Sequence, residues 1–230
     1  MLVVLASRHD VAARQLVERW EPYGACLLTC RDLSEPGWIY RLADPAAASA
    51  VIGGRPVGAG EIHGVLNRLP WVTEDELPHI VRSDRSYVAA EMSAFLIFWL
   101  SEQTCPMLNR PSPGRLNGPS WRREQWIAHA AQVGFRVVFE EEQLNMAAGL
   151  PPRQPSPTCS VTVVGDQCIG AADWILRERL RDLATSANVD LLGVSLRGSG
   201  PDAQFVSATV YPEIGCAEVS DAILRYFQRM

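Results

Sequence analysis

The sequence contains no lysine; all 21 of its Lys and Arg positions are arginine. A site that holds phosphate on a lysine ammonium is therefore excluded, since arginine offers a planar fork rather than a compact point charge. Cysteine is sparse and unpatterned, with Cys26, Cys30, Cys105, Cys159, Cys168 and Cys216 forming no CxxC pair. Cys26 and Cys30, four residues apart on a strand, would lie about 13 Å apart along its axis. That spacing excludes a chelate or a disulfide, and the thiols read as small buried hydrophobes. No GxGxxG, P-loop, GxSxG or HExxH motif occurs. His9, His63, His79 and His129 are scattered, and a Glu61–His63 pair on one strand face reads as structural or surface. The net charge of −5 gives no reason to expect nucleic acid or an anionic membrane as partner. The first apolar run, Leu2–Ala6, is too short for a secretory signal and no basic residue precedes it. A cytoplasmic protein, without membrane association, is the expectation. No internal repeat is visible.

What is present centres on the stretch from Arg82 to Pro111. Val88, Met92, Phe95 and Trp99 recur at helical spacing, and no charge falls between Glu91 and Glu102. A helix apolar nearly all round lies in a core or a membrane. The run Ala94–Leu100 is too short to span a bilayer. The pattern therefore predicts a core helix, the most buried of its domain, with Met92, Phe95 and Trp99 inside.

Around it the chain alternates strands and helices. Leu2–Ala6 reads as a buried strand, and Ser7-Arg8-His9-Asp10 has capping-box spacing ahead of a helix that turns Ala13, Leu16, Val17 and Trp20 inward. Ala25–Thr29 is a second strand. Strand, helix, strand opens an α/β layer with a parallel sheet. Residues 31–45 carry no clear pattern. Ala50–Val57 reads as a hairpin about Gly53-Gly54, and Glu61–Leu66 as a strand. The breaker-rich segment Pro111–Pro119 marks a boundary, which divides the chain into domains 1–112 and 113–230. In the second, helices about Trp126 and Leu180 accompany strands at 135–139 and 161–164. Leu191–Leu196 and Gln204–Tyr211 should form an antiparallel hairpin. A last helix turns Val219, Ile223 and Tyr226 inward. Glu140–Glu142 reads as solvated surface and Pro151–Pro157 as an extended connection.

Two Asn-Arg pairs, Asn67-Arg68 and Asn109-Arg110, each close a predicted strand. In a parallel α/β sheet such ends border the ligand crevice. Arg82 and Arg85, at the start of the core helix, are placed to face it. Convergent Arg and Asn suit a carboxylate or phosphate, hence a small anionic ligand. The alternative is that these arginines cap carbonyls or pair with acids.

The order of segments resembles the ATP-grasp ligases, in the branch of glutathione synthetase, the ribosomal-protein glutamate ligases and the microviridin-type peptide ligases. It runs VVLASRHD, GVLNRLPW, SDRSYVAAEMSAFLIFWL, CPMLNRPSP, then WRREQWIAHAAQVGFRV, VTVVGDQCIGA and LLGVSLRGSGPDAQFVSATVYPEIG. The resemblance implies an α/β fold: an N-terminal domain like the one that precedes ATP-grasp domains, then a reduced ATP-grasp palm, an antiparallel sheet with helices. In that family the hairpin presents an acid on its first strand and Glu-x-Asn on its second, to hold magnesium. The matching positions here are Ser195, Thr209 and Tyr211, with Glu213 the closest carboxylate beyond them. The family's phosphate-binding lysines are absent, and residues 138–161 leave little room for its nucleotide-binding lobe. The resemblance thus points to a truncated, degenerate relative with no metal, no nucleotide cofactor and no catalytic residue. A palm without its lobe should leave apolar sheet uncovered, so a homodimer or a protein partner is expected. Such a protein would bind a partner or peptide, beside an active ligase or another peptide-modifying enzyme. Two other readings stand: an enzyme of different chemistry on a small anion between the domains, and a ligase completed by another chain.

Overall fold

The computed structural model describes residues 1–41, 43–44, 47–137 and 158–229. The chain forms two compact units, Met1–Ser120 with Glu213–Met230, and Trp121–Pro212. The division falls after Ser120 rather than at residue 112, and the end of the chain returns to the first unit.

The first unit begins with β1 (Leu2–Leu5), α1 (Val11–Arg19) and β2 (Ala25–Leu28). The N-cap of α1 is Asp10, whose carboxylate accepts from the Ala13 N–H; Ser7, three residues earlier, serves elsewhere. A hairpin follows, β3 (Ser49–Ile52) and β4 (Arg55–Gly58). Gly53 and Gly54, at φ 58° and 72°, turn it in the left-handed region that side chains resist. Then come β5 (Gly64–Asn67), α2 (Arg85–Glu102) and β6 (Met107–Leu108). The four parallel strands lie in the order β2-β1-β5-β6. Their buried Val and Leu side chains make the continuous apolar runs expected of a sheet covered on both faces.

Helix α2 occupies the predicted span but is not buried all round. Ala89, Leu96, Trp99 and Leu100 are buried, Met92 and Phe95 are half-buried against the core, and Tyr87 and Phe98 are exposed. Trp38, from the stretch that carried no pattern, sits edge-on to Phe95 and Trp99 at 5.2 and 5.6 Å. Tyr40 does the same to Phe98 at 4.7 Å. Aromatics of an irregular segment thus cover part of the helix that periodicity had assigned to a core.

The second unit contains α3 (Arg123–Gln132), β7 (Arg136–Val137), β8 (Thr158–Val164) and β9 (Gln167–Ile169). It continues with α4 (Trp174–Ser186), β10 (Leu191–Arg197) and β11 (Gln204–Thr209). The sheet order is β7-β11-β10-β8-β9, antiparallel except where β7 meets β11. Asp173 caps α4, which buries Leu176, Leu180, Leu183 and Ala184 as its spacing foretells. Inward residues Val161, Val163, Leu192 and Val194 complete that core.

The last helix, α5 (Ala217–Gln228), packs in the first unit. It buries Val219, Ile223 and Phe227, while Tyr226 is only half-buried. Gly64 of β5 admits the Phe227 ring: a Cβ there would lie 2.6 Å from it. Arg19 of α1 pairs with Asp221 at 2.7 Å. Glu140–Glu142, the Pro151–Pro157 connection and the expected loss of the nucleotide lobe fall on residues outside those described. Among the described residues no helix is long and apolar enough to cross a membrane.

The two sides of α2 should separate in a stability measurement. Leu96→Ala, at a fully buried position, should cost about 2–5 kcal/mol. Phe98→Ala, on the exposed side, should cost much less. Urea denaturation midpoints of the two variants check the ranking.

Candidate functional site

The chain runs from β1 to β2 on one side of the sheet and later to β5 on the other. The loops after β1 and β5 therefore flank the point where strand order reverses, the usual ligand position in open α/β sheets. Here the protein's own side chains fill it. Arg68 is almost wholly buried and its Nε donates to Asp10 Oδ2 at 2.8 Å. Asp10 thereby caps α1 with one oxygen and neutralises Arg68 with the other. The Arg68 N–H also donates to the Leu5 carbonyl at 2.7 Å. Beside them the Ser7 hydroxyl donates to the buried carboxylate of Glu76, which also accepts from the Arg8 N–H at 3.3 Å. Burial, then Glu76 and Asp32, push the Cys30 thiol up to about 12.

The six residues singled out from sequence do not act as one set. Asn67, Arg68 and Asn109 are buried at the ends of β5 and β6, and Asn67 Nδ2 donates to the carbonyls of Asn109 (3.3 Å) and Leu116 (2.5 Å). Arg85 donates to the carbonyls of Ile80 and Pro78, and Arg110 to those of Gln103 and Cys105. These two brace the loops into and out of α2. Arg82 is exposed in the turn before it. Sequence reasoning missed Asp10, Glu76 and Asn117 as partners at this end of the sheet. Asn117 is fully buried and its Oδ1 accepts from Arg115 Nε at 2.7 Å. A signal for it existed: of the four Leu-Asn pairs in the sequence, Leu66-Asn67, Leu108-Asn109 and Leu116-Asn117 lie among the described residues, and all six of those residues are buried.

In the second unit, register and alternation place Gly193 and Ser195 of β10 on one face with Ser207 and Thr209 of β11 and Ser160 and Thr162 of β8. This is the face away from Val161, Val163, Leu192 and Val194. Hydroxyls lie there beside the buried Val164 and Leu191, and Pro212 packs over Gly193; among the described residues, the uncovered apolar sheet expected from sequence is not seen on this face. Thr209 and Tyr211 are exposed, and the Tyr211 N–H donates to Thr209 Oγ1 at 3.1 Å. None of β7 to β11 carries an Asp or Glu. Glu213 belongs to the first unit and its Oε1 accepts from the Gly215 N–H at 2.8 Å. Magnesium requires several hard oxygen ligands, usually including carboxylate; the hairpin's hydroxyls do not fit it. Among the described residues no group of three His, Cys, Asp or Glu is placed to hold a metal.

Breaking the Arg68–Asp10 pair should destabilise the fold. Arg68→Ala should cost about 3–5 kcal/mol, because it removes the cation that offsets a buried carboxylate. Arg68→Ala with Asp10→Asn should cost less than Arg68→Ala alone, as read from denaturation midpoints. The Cys30 thiol sets a second expectation. Below its ordinary value of 9.0 it is protonated folded and unfolded; above that only the unfolded chain ionises. Its contribution to stability is therefore whole below pH 9.0 and lost as pH rises towards about 12. Cys30→Ala should flatten that part of the stability–pH curve.

No protein-family model matches the chain, and no curated protein does. Solved structures do. The macrocyclase MdnC from Microcystis aeruginosa MRC, bound with precursor peptide MdnA, aligns with a TM-score of 0.70 at 12% identity over 100% of both chains. The RiPP-associated ATP-grasp ligase of Chryseobacterium gregarium, in complex with ADP and a leader and core peptide, aligns at 0.68 and 10%, covering 99% of this chain and 96% of that one. A RimK domain protein ATP-grasp from Sphaerobacter thermophilus DSM 20745 aligns at 0.51 and 16%, covering 99% and 100%. At these identities the likeness establishes architecture alone. Over its full length the chain is structurally similar to the ATP-grasp peptide ligases, an α/β protein with their parallel and mixed sheets.

Proposed function

We propose that this chain is a polypeptide-binding protein of ATP-grasp fold that carries out no ATP chemistry of its own. The observation that carries this is the sheet β7 to β11, which holds no carboxylate on any strand. Phosphoryl transfer to a carboxylate is mostly positioning and neutralisation of charge. Magnesium and basic side chains supply that neutralisation. A hydroxyl at Ser195, Thr209 or Tyr211 is neutral and does not offset the dehydration of magnesium. The chain has no lysine to replace it on the phosphates. Arginine binds phosphate, so the missing lysine alone is weak support; the strands without carboxylates support the reading more strongly.

Polypeptide as the bound partner is favoured by two things. The relatives MdnC and the Chryseobacterium ligase are in complex with precursor, leader or core peptides. The outer face about Ser160, Ser195, Ser207 and Thr209 carries no acidic side chain on its strands and is rich in groups that both donate and accept, as peptide backbone demands, with Arg197 of β10 on the same face. A second copy of the chain is less favoured, because among the described residues no broad apolar face is exposed on that side for self-association. A partner enzyme that performs the peptide modification would complete the activity.

Calorimetric titration of the purified chain with MgATP, followed by a phosphate-release assay, tests the proposal. No heat at millimolar nucleotide and no turnover are expected. Micromolar binding, or turnover abolished by Glu213→Gln, would overturn it in favour of a ligase completed in trans.

A further inference from the structure

A second site lies within the first unit, independent of the question of ATP chemistry. A pocket of about 420 Å³ opens between the β3–β4 hairpin and the C-terminal end of α2. That size is within the range of small-molecule sites. Its walls are largely apolar, with Ala48, Ala50, Ile62 and Trp99 among them, and Trp99 is anchored in the core. Polarity gathers at one end, where Tyr40 Oη donates to Glu102 Oε2 at 2.7 Å. The Glu102 carboxylate holds the Tyr40 phenol above its ordinary range, so that it stays a donor. The hydrogen bond fixes one carboxylate oxygen and leaves Oε1 for an incoming donor. Among the described residues that line the pocket, Glu102 is the one charged side chain. Arg110 is bonded to the carbonyls of Gln103 and Cys105 and contributes no wall.

An apolar chamber with a single oriented carboxylate and an aromatic wall selects for charge at one end of an apolar stem. An anion is repelled by Glu102, and a neutral apolar molecule leaves the carboxylate without a partner. A cation gains a charge-assisted hydrogen bond, and its aliphatic stem gains contact with Trp99 and the alanines of the wall. We infer that this pocket binds an ammonium or guanidinium group on an aliphatic stem, as a free alkylamine or the side chain of a lysine or arginine in a peptide presents it. The chain carries no lysine, so it offers no lysine side chain of its own to compete.

The test compares pentylammonium with pentanol, its neutral counterpart of similar length, by calorimetry or by chemical-shift changes. Pentylammonium should bind at least about tenfold more tightly, a difference of about 1.4 kcal/mol. Glu102→Gln should remove that preference. Glu102 is exposed at the end of α2, so the variant should fold with an unchanged denaturation midpoint. A second variant, Ala50→Leu, fills the chamber and should weaken both probes. N-acetyl-lysine-N-methylamide separates the sources: binding tighter than pentylammonium indicates a peptide side chain, weaker binding a free amine, and either supports the inference. Equal affinity for pentanol and pentylammonium, no binding of either at millimolar concentration, or an unchanged preference in Glu102→Gln would overturn it. None of these outcomes depends on whether MgATP binds.

Discussion

The contact on which the first unit depends is the buried ion pair between Asp10 and Arg68. It joins the end of β1 to the end of β5 across the point where the chain changes side. Asp10 also ends the N-terminus of α1, so one carboxylate sets the helix, the strand register and the charge balance together. Two charges taken out of water cost several kcal/mol each unless geometry and further hydrogen bonds compensate. Here the compensation comes from backbone: the Ala13 N–H on Asp10, and the strand-end position of Arg68, whose own N–H binds Leu5. An arginine held this way is not a surface cation awaiting an anion. A ligand anion would have to compete with Asp10 for a buried guanidinium.

The second unit solves the opposite problem. Its sheet excludes acidic charge from every strand, and its hairpin face presents hydroxyls, glycine and proline. Buried acids do occur in the protein, but each described one has a structural duty. Asp32 accepts from the Thr29 N–H and hydroxyl and from the Gly54 N–H, tying the end of β2 to the hairpin turn. Glu76 accepts from Ser7 and Arg8. Among the described residues, the buried carboxylates hold loops and turns, and the strands of the second unit carry none.

Much of the architecture was legible because local signals agreed. The Gly53-Gly54 turn, the Leu176-Leu180-Leu183 stripe and the apolar runs of β1 and β5 each point to one conformation. What could not be read is what joins residues distant in sequence. Arg68 and Asn67 sit at strand ends as the sequence suggests, but nothing local says that Asp10 meets the guanidinium. Helix α2 was read as buried all round because periodicity carries no information about Trp38 and Tyr40, which come from an unpatterned loop. Composition suggested a boundary at residue 112, within the breaker-rich segment, whereas the compact units divide after Ser120. The return of α5 to the first unit was not visible, since it rests on one ring, Phe227, meeting one missing side chain, Gly64. Sequence placed Tyr226 inward, one position away; that single-residue rotation decides which aromatic reaches β5.

The absence of lysine is also more than a compositional drift. Arg85 binds two carbonyls, Arg110 binds two, and Arg177 binds those of Ala172, Cys168 and Gly170. Each joins two or three carbonyls, two residues apart along the chain, in the segment next to a helix end. A guanidinium does this with nitrogens fixed in one plane; an ammonium directs its donors from a single point and is more strongly hydrated. Arginine in these places is a brace for irregular backbone. The same reasoning limits how its number should be read for function: a chain with 21 arginines has far fewer free to meet an anion, because several are already bound to the loops that carry them.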